Sequence, residues 1–204
     1  MKHTTYGLGY IQSPKDDRDL RFDAKTDLPL VYKLAQLQVE DQGSTSMCAA
    51  YTAATMIDWW SSVLSMQGKL DIKALYERRS NAPQEGMIPR DVFKLLKAQP
   101  IKMSKGSEQL PITAYRRCYT IDEVKSAVVA NGPVFVGMLV KDIEAEHFWK
   151  GDGNFGGHAV SIVGYTKDAF IIKNSWGVSW GDAGYTTMSF EDFSAIIEAW
   201  TILR

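Results

Sequence analysis

Four side chains in this sequence belong to the types that acyl-transfer chemistry uses: Gln42, Cys48, His158 and Asn174. Taken singly, each has an ordinary reading. A cysteine beside alanines is usually a small buried hydrophobe. A histidine opening a strand is usually structural, and an asparagine between strands is a turn residue. Together they divide a catalytic task. A thiolate needs an imidazolium partner, and the imidazole needs a fixed polar group to hold its ring. A tetrahedral intermediate needs donors aimed at its oxyanion. Gln42 lies six residues before Cys48, so its amide and the Cys48 backbone N–H can form that donor pair. Cys48 falls in the first turn of an expected helix, where unpaired N–H groups and the helix dipole favour a thiolate.

The elements that would position these groups follow from pattern. The Ala-rich run from Cys48 through Trp60 is apolar all round, as a buried helix is. Ser46 is placed to cap its start and Gly68 to lie just past its end. Helices are also expected over 71–79 and over 89–98, the latter opening on Pro89. Thr120-Ile121-Asp122-Glu123 is a capping box for a helix running to Ala130, stopped by Gly132-Pro133. Strands are expected over 134–140, 159–165, 169–173, 185–189 and 196–203, with another around Cys118. Helices thus dominate before about residue 112 and strands after it. The organisation expected is an arm over 1–27, a helical lobe over 28–112 and a β-rich lobe over 113–204, with a cleft between the lobes.

Length and composition set the outer bounds. The chain has 204 residues, with 23 Lys plus Arg against 24 Asp plus Glu and a formal charge of −1. That balance gives no pull toward nucleic acid or an anionic membrane. No apolar run reaches the roughly 18 residues that span a bilayer. With two cysteines, Cys48 and Cys118, and three scattered histidines, His3, His147 and His158, neither a disulfide scaffold nor a metal site is expected. Cys118 reads as a structural thiol, His147 as a surface residue and His3 as part of a tail. Low cysteine use, and no signal-peptide pattern at the start, make a reducing cytoplasmic setting the expectation. The run Lys15-Asp16-Asp17-Arg18-Asp19 reads as a solvated face.

Three stretches carry a family resemblance. Thr45-Ser46-Met47-Cys48-Ala49 partly matches the nucleophile signature of the papain-like cysteine peptidases. Thr45, Met47 and Ala49 depart from it without removing a catalytic group. Gly157-His158-Ala159-Val160 and Lys173-Asn174-Ser175-Trp176-Gly177, followed by Trp180-Gly181 and Gly184-Tyr185, match the family's second lobe closely. The order Cys, His, Asn also agrees. Cys48 and His158 lie 110 residues apart, a compact spacing for this group, which implies trimmed surface loops. The resemblance covers roughly residues 28–204, and the opening residues are similar to leaders of some microbial members.

The resemblance implies an α+β papain-like fold with a helical N-terminal lobe and an antiparallel, barrel-like C-terminal lobe. It implies a peptidase acting through a thioester, without a cofactor, on a protein or peptide substrate. Cys48 would attack, His158 would hold and deliver the proton, and Asn174 would orient the ring. Gln42 would serve the oxyanion and Trp176 would cover the His158–Asn174 bond. Gly86 would bind substrate backbone, and Met87, Ile88, Gly137 and Ala159 would line an apolar pocket for the residue two before the cut. Two other readings share these residues: a cell-wall amidase or endopeptidase on a related Cys–His scaffold, and a papain-like scaffold kept for binding alone. The arm has two expected placements, in the cleft as a restraint or on the back of the lobes as a strap.

Overall fold

The computed structural model describes every residue except 1–5, 26, 36, 102 and 104–108; His3 lies outside the described residues. Among the described residues four helices form: α1 (Cys48–Val63), α2 (Ile72–Glu77), α3 (Pro89–Ala98) and α4 (Ile121–Asn131). The same residues form seven strands: β1 (Tyr32–Lys33), β2 (Ala114–Cys118), β3 (Val134–Val140), β4 (Gly156–Tyr165), β5 (Ala169–Lys173), β6 (Tyr185–Ser189) and β7 (Ile196–Leu203). A 3-10 turn over Phe190–Ala195 leads from β6 into β7.

The sheet runs β2-β7-β3-β4-β5-β6, with β1 added to β4, and its ladders are antiparallel. Turn residues bound these strands. The interior ones are apolar on both faces because helices and loops cover both sides. Two packed clusters result. One joins α1, α2 and α3 to Phe135, Trp200 and Ile202 of the sheet. The other joins α4 to β3, β4 and β5.

Helix ends obey local chemistry with two departures. Asp71 caps α2 by accepting the Ala74 N–H, and Pro89 occupies the first turn of α3. Thr120 Oγ1 accepts the Glu123 N–H at 3.2 Å. Glu123 returns the favour one residue earlier than expected, accepting from the Tyr119 N–H at 2.6 Å. Ser46 does not cap α1. The cap residue is Met47, without a side-chain bond, because the Ser46 hydroxyl is turned outward to Glu85 Oε2 at 2.6 Å. The far end closes at Leu64 rather than near Gly68. Ser65 there takes the left-handed conformation, with φ of 56°.

The arm takes both expected placements in succession. Its first described residues, 6–11, run through the cleft. Farther on, Arg21 bridges Arg117 in parallel on the open edge of β2, and the Phe22 N–H donates to the Arg117 carbonyl at 2.9 Å. The charged run between these segments is not wholly solvated. Lys15, Asp17 and Arg18 are exposed, whereas the Asp19 side chain is only 5% exposed and pairs with Arg90. A buried carboxylate of this kind needs a charged partner, and Arg90 supplies a two-pronged one at 2.8 and 2.5 Å.

Candidate active site

Cys48 is the first residue of α1 and is fully buried. Its thiol lies against the N–H groups of Ala159, Gly9, Ala49 and its own residue. His158 sits near the start of β4, opposite Met138 of β3. Asn174 follows β5 directly, and its N–H is fixed on the Gly184 carbonyl at 2.9 Å. His158 Nε2 and Asn174 Oδ1 are 2.8 Å apart. Asn174 Oδ1 also accepts the Ser175 N–H at 2.8 Å. With Nε2 thus engaged, the free ring nitrogen is Nδ1, which is buried without a hydrogen-bond partner.

Trp176 lies flat on the imidazole, with centroids 4.3 Å apart and planes 23° apart. Tyr6 of the arm also stacks on Trp176, at 4.4 Å and 12°. Phe148 and Trp180 pack around the same indole. The His158–Asn174 bond is therefore wrapped in aromatic surface.

Gln42 stands on the loop before α1, and that loop is zipped to the Asn174 loop. The Gln42 N–H donates to the Ser175 carbonyl at 2.9 Å, and the Gly177 N–H to Glu40 at 3.2 Å. The Ser175 hydroxyl donates to Gln42 Oε1 at 2.7 Å. That contact orients the amide so that Nε2 points into the cleft. There Nε2 donates to the Gly7 carbonyl at 2.9 Å, and to Thr45 O at 2.7 Å.

The arm fills what remains of the cleft. The Gly9 carbonyl accepts the Met87 N–H at 2.8 Å, and the Ile11 N–H donates to the Met87 carbonyl at 3.1 Å. On the opposite wall the Gly9 and Tyr10 N–H groups both donate to the Gly157 carbonyl, at 3.1 and 3.0 Å. The chain pairs with Met87, one residue on from Gly86. The turn at Gly86, with φ of +80°, rotates the Met87 backbone groups toward the cleft, a conformation that glycine adopts freely.

Tyr10 marks the side-chain pocket. Its ring rests on Gly137, where an added Cβ would come within 2.2 Å of it. Gly137 pairs with Ala159 on one side and Glu198 on the other. Gly137 and Gly157 thus flank the ring, and Met87 and Ala159 share its buried cluster, while Ile88 caps the start of α3, its carbonyl receiving the Asp91 and Val92 N–H groups. Glu198 was not singled out in the sequence, although a lone acid inside the apolar run of β7 is a visible signal. It is 2% exposed and accepts from Ser13 N–H at 3.0 Å and Trp200 Nε1 at 2.8 Å. Burial, and then the Glu198 charge, hold the Tyr10 phenol far above its usual range.

Electrostatics under the arm run opposite to the sequence expectation. Burial pushes the Cys48 thiol up to about 11, against the opposing pull of the surrounding N–H groups. Burial also lowers His158 to about 4, with Asn174 acting the other way. Desolvation penalises each charged form. Burial of the closed site therefore favours a thiol and a neutral imidazole over the ion pair. Cys118 is buried on β2, and both cysteines are free; burial raises the Cys118 thiol as well. His147 is exposed. Among the described residues no cluster of His, Cys, Asp and Glu could hold a metal ion.

Comparisons with known proteins agree with this geometry. Xylellain, a cysteine protease from Xylella fastidiosa, superposes with a TM-score of 0.81 at 22% identity, covering 100% of this chain and 98% of that one. The Carica candamarcensis cysteine protease CMS1MS2, solved in complex with E-64, gives 0.73 at 19% identity, covering 87% and 99%. These likenesses establish the fold. Cysteine endopeptidase Rep1 of Oryza sativa subsp. japonica is 26% identical over 188 residues, 74% of this chain and 49% of the relative. Digestive cysteine proteinase 3 of Homarus americanus is 37% identical over 82 residues, 35% and 26% of the two chains. The chain thus spans half or less of the length of these curated relatives. The profile described as papain family cysteine protease matches residues 93–199, a span that takes in His158, Asn174, Trp176 and most of the sheet. On that match, more than half its length, the chain belongs to the papain family of cysteine proteases.

Proposed function

We propose that this protein is a cysteine endopeptidase held latent by its own arm. The observation that carries the reading is the Gly7 carbonyl bound on Gln42 Nε2. A peptide carbonyl already occupies a donor that acyl transfer uses, beside a cysteine at a helix N-terminus and a histidine held by an asparagine amide. With the arm displaced, Cys48 Sγ attacks the scissile carbonyl carbon, and its proton resides on His158 Nδ1. The carbonyl oxygen becomes an oxyanion, stabilised by Gln42 Nε2 and the Cys48 N–H. Collapse breaks the C–N bond, His158 protonates the leaving amine, and a thioester remains. Water then attacks the thioester with His158 as base, which releases the acid and restores the thiol. Asn174 keeps Nδ1 aimed at sulfur by holding Nε2, and Trp176 keeps water off that bond.

The arm also supports a substrate preference. Tyr10 packs on Gly137 and Gly157 in a buried cluster with Met87 and Ala159, so a bulky, largely apolar side chain fits there, two residues before the cut. The test is hydrolysis of casein and of a peptide library by the chain lacking residues 1–11. Cleavage abolished by Cys48→Ser supports the reading. A folded truncation with neither hydrolysis nor a reactive Cys48 thiol would overturn it in favour of a binding scaffold.

A further inference from the structure

Away from the cleft, the arm, α3 and β2 enclose a groove of about 350 Å³. Its two acids are already bound. Asp16 accepts from Arg18 through the backbone N–H, Nε and Nη2, at 3.0, 2.9 and 2.8 Å. Asp19 takes the Arg90 fork, with Arg117 Nη1 at 3.7 Å behind it. Three further cations line the same groove: Lys94, Lys97 and Arg116. Lys94 and Lys97 lie one helical turn apart on α3, and so share a face. The acid facing Lys94 is Asp91 on its own helix, at 3.6 Å from an exposed ammonium, a weak contact. Arg116 gives one N–H to the Tyr115 carbonyl at 3.1 Å. Among the described residues, no ion pair joins Lys97 or Arg116 to a carboxylate.

Convergence of two cations without a carboxylate, and a third held only by a long contact, on one concave surface is unfavourable by self-repulsion. It occurs here in a chain whose formal charge is −1. The groove wall is also rigid: Tyr115 is packed against Phe93 and Trp200, each at 5.9 Å. A planar guanidinium flanked by two ammonium groups matches the tetrahedral, multiply charged oxygens of phosphate esters better than a single carboxylate.

We propose that this groove is a binding site for a small soluble anion carrying two or more phosphate groups, held by Lys94, Lys97 and Arg116 beside the arm. The site shares no residue with the cleft and does not depend on the peptidase reading. Titration calorimetry of the full chain with sodium tripolyphosphate tests it. One-to-one binding is expected, with a dissociation constant of about 0.1 mM or tighter at low salt and weakening as salt is added. Lys97→Glu and Arg116→Glu should each weaken it about tenfold or more, since each reverses a charge at the anion. Lys167→Glu, in the exposed turn between β4 and β5, should leave it unchanged. No binding at about 5 mM tripolyphosphate would overturn the site, as would equal binding by the groove variants. Capture by phosphatidylinositol 4-phosphate vesicles without binding of free tripolyphosphate would overturn it as well.

Discussion

Gln42 Nε2 and the Gly7 carbonyl lie 2.9 Å apart, so the arm binds the cleft through the kind of contact a substrate carbonyl would make. It pairs with Met87 in parallel, and both walls hold it by backbone bonds. Removal of residues 1–11 spares the Ser13–Glu198 bond and the Asp19–Arg90 pair, so the rest of the arm stays anchored. We expect this truncation to alkylate Cys48 at least about tenfold faster than the full chain at pH 7, because desolvation of the thiol is relieved. Mass mapping of the modified peptide separates Cys48 from Cys118. Equal rates in the two proteins would mean that the arm does not govern access.

The pH dependence follows from His158. Its folded pKa is depressed by burial to about 4, from an ordinary 6.5. The closed state therefore takes up the His158 proton poorly. Stability from the neutral imidazole is fully present above pH 6.5 and is lost as pH falls toward 4, on the order of 3 kcal/mol in all. Opening the cleft relieves that cost by letting the imidazolium meet water. A thiol beside a neutral imidazole and a thiolate beside an imidazolium hold the same single proton, so opening to the reactive pair neither takes up nor releases one. Alkylation of Cys48 in the full chain should thus stay nearly level between pH 6.5 and 4.5, where the rate of an ordinary thiol falls about tenfold per pH unit. A rate that only climbs toward alkaline pH would sink this account.

Much of the frame was legible before the fold. Strands β3, β5, β6 and β7 and helix α3 have the bounds that turn residues and periodicity suggested, because local rules decide them. The cleft segment of the arm was not legible. Residues 6–11 contain no periodic pattern, and their extended path is dictated by Met87 and Gly157, which are distant in sequence. The burial of Asp19 was hidden for the same reason, since its partner Arg90 lies 71 residues away. The thiol's raised pKa comes from its burial among segments distant in sequence, so a helix N-terminus alone could not report it. Gln42, His158 and Asn174 were readable from their flanking residues, and Glu198 was missed because a single acid carries no motif.

The Asp19–Arg90 pair ties the arm to α3 with side chains 5% and 6% exposed. Asp19→Ala leaves the Arg90 guanidinium buried without its main partner, a class of change that costs roughly 3 kcal/mol. A drop in denaturation midpoint is expected, together with faster Cys48 alkylation as the arm loosens. Arg90→Met in the same background should recover part of the stability, since it removes the orphaned charge. Loss of stability with no change in alkylation would show that the cleft segment holds on independently of this anchor.

Glu198 closes the pocket that Tyr10 occupies. Gly137 pairs with both Ala159 and Glu198, so the carboxylate lies one strand from the ring. Removing the arm takes away the Tyr10 ring, and the pocket then presents apolar walls with one buried negative charge among them. An acidic substrate side chain entering it would meet a like charge in a medium of low dielectric, where repulsion is poorly screened. In the chain lacking residues 1–11, peptides with Glu two residues before the cut should be cleaved at least about 100-fold more slowly than those with Tyr or Leu, a difference of about 2.7 kcal/mol. Glu198→Gln keeps the shape and removes the charge. It should narrow that gap about tenfold while leaving the Leu peptide nearly unaffected. If the variant loses activity equally on all three peptides, Glu198 supports the fold of the pocket through Trp200 and does not select the substrate.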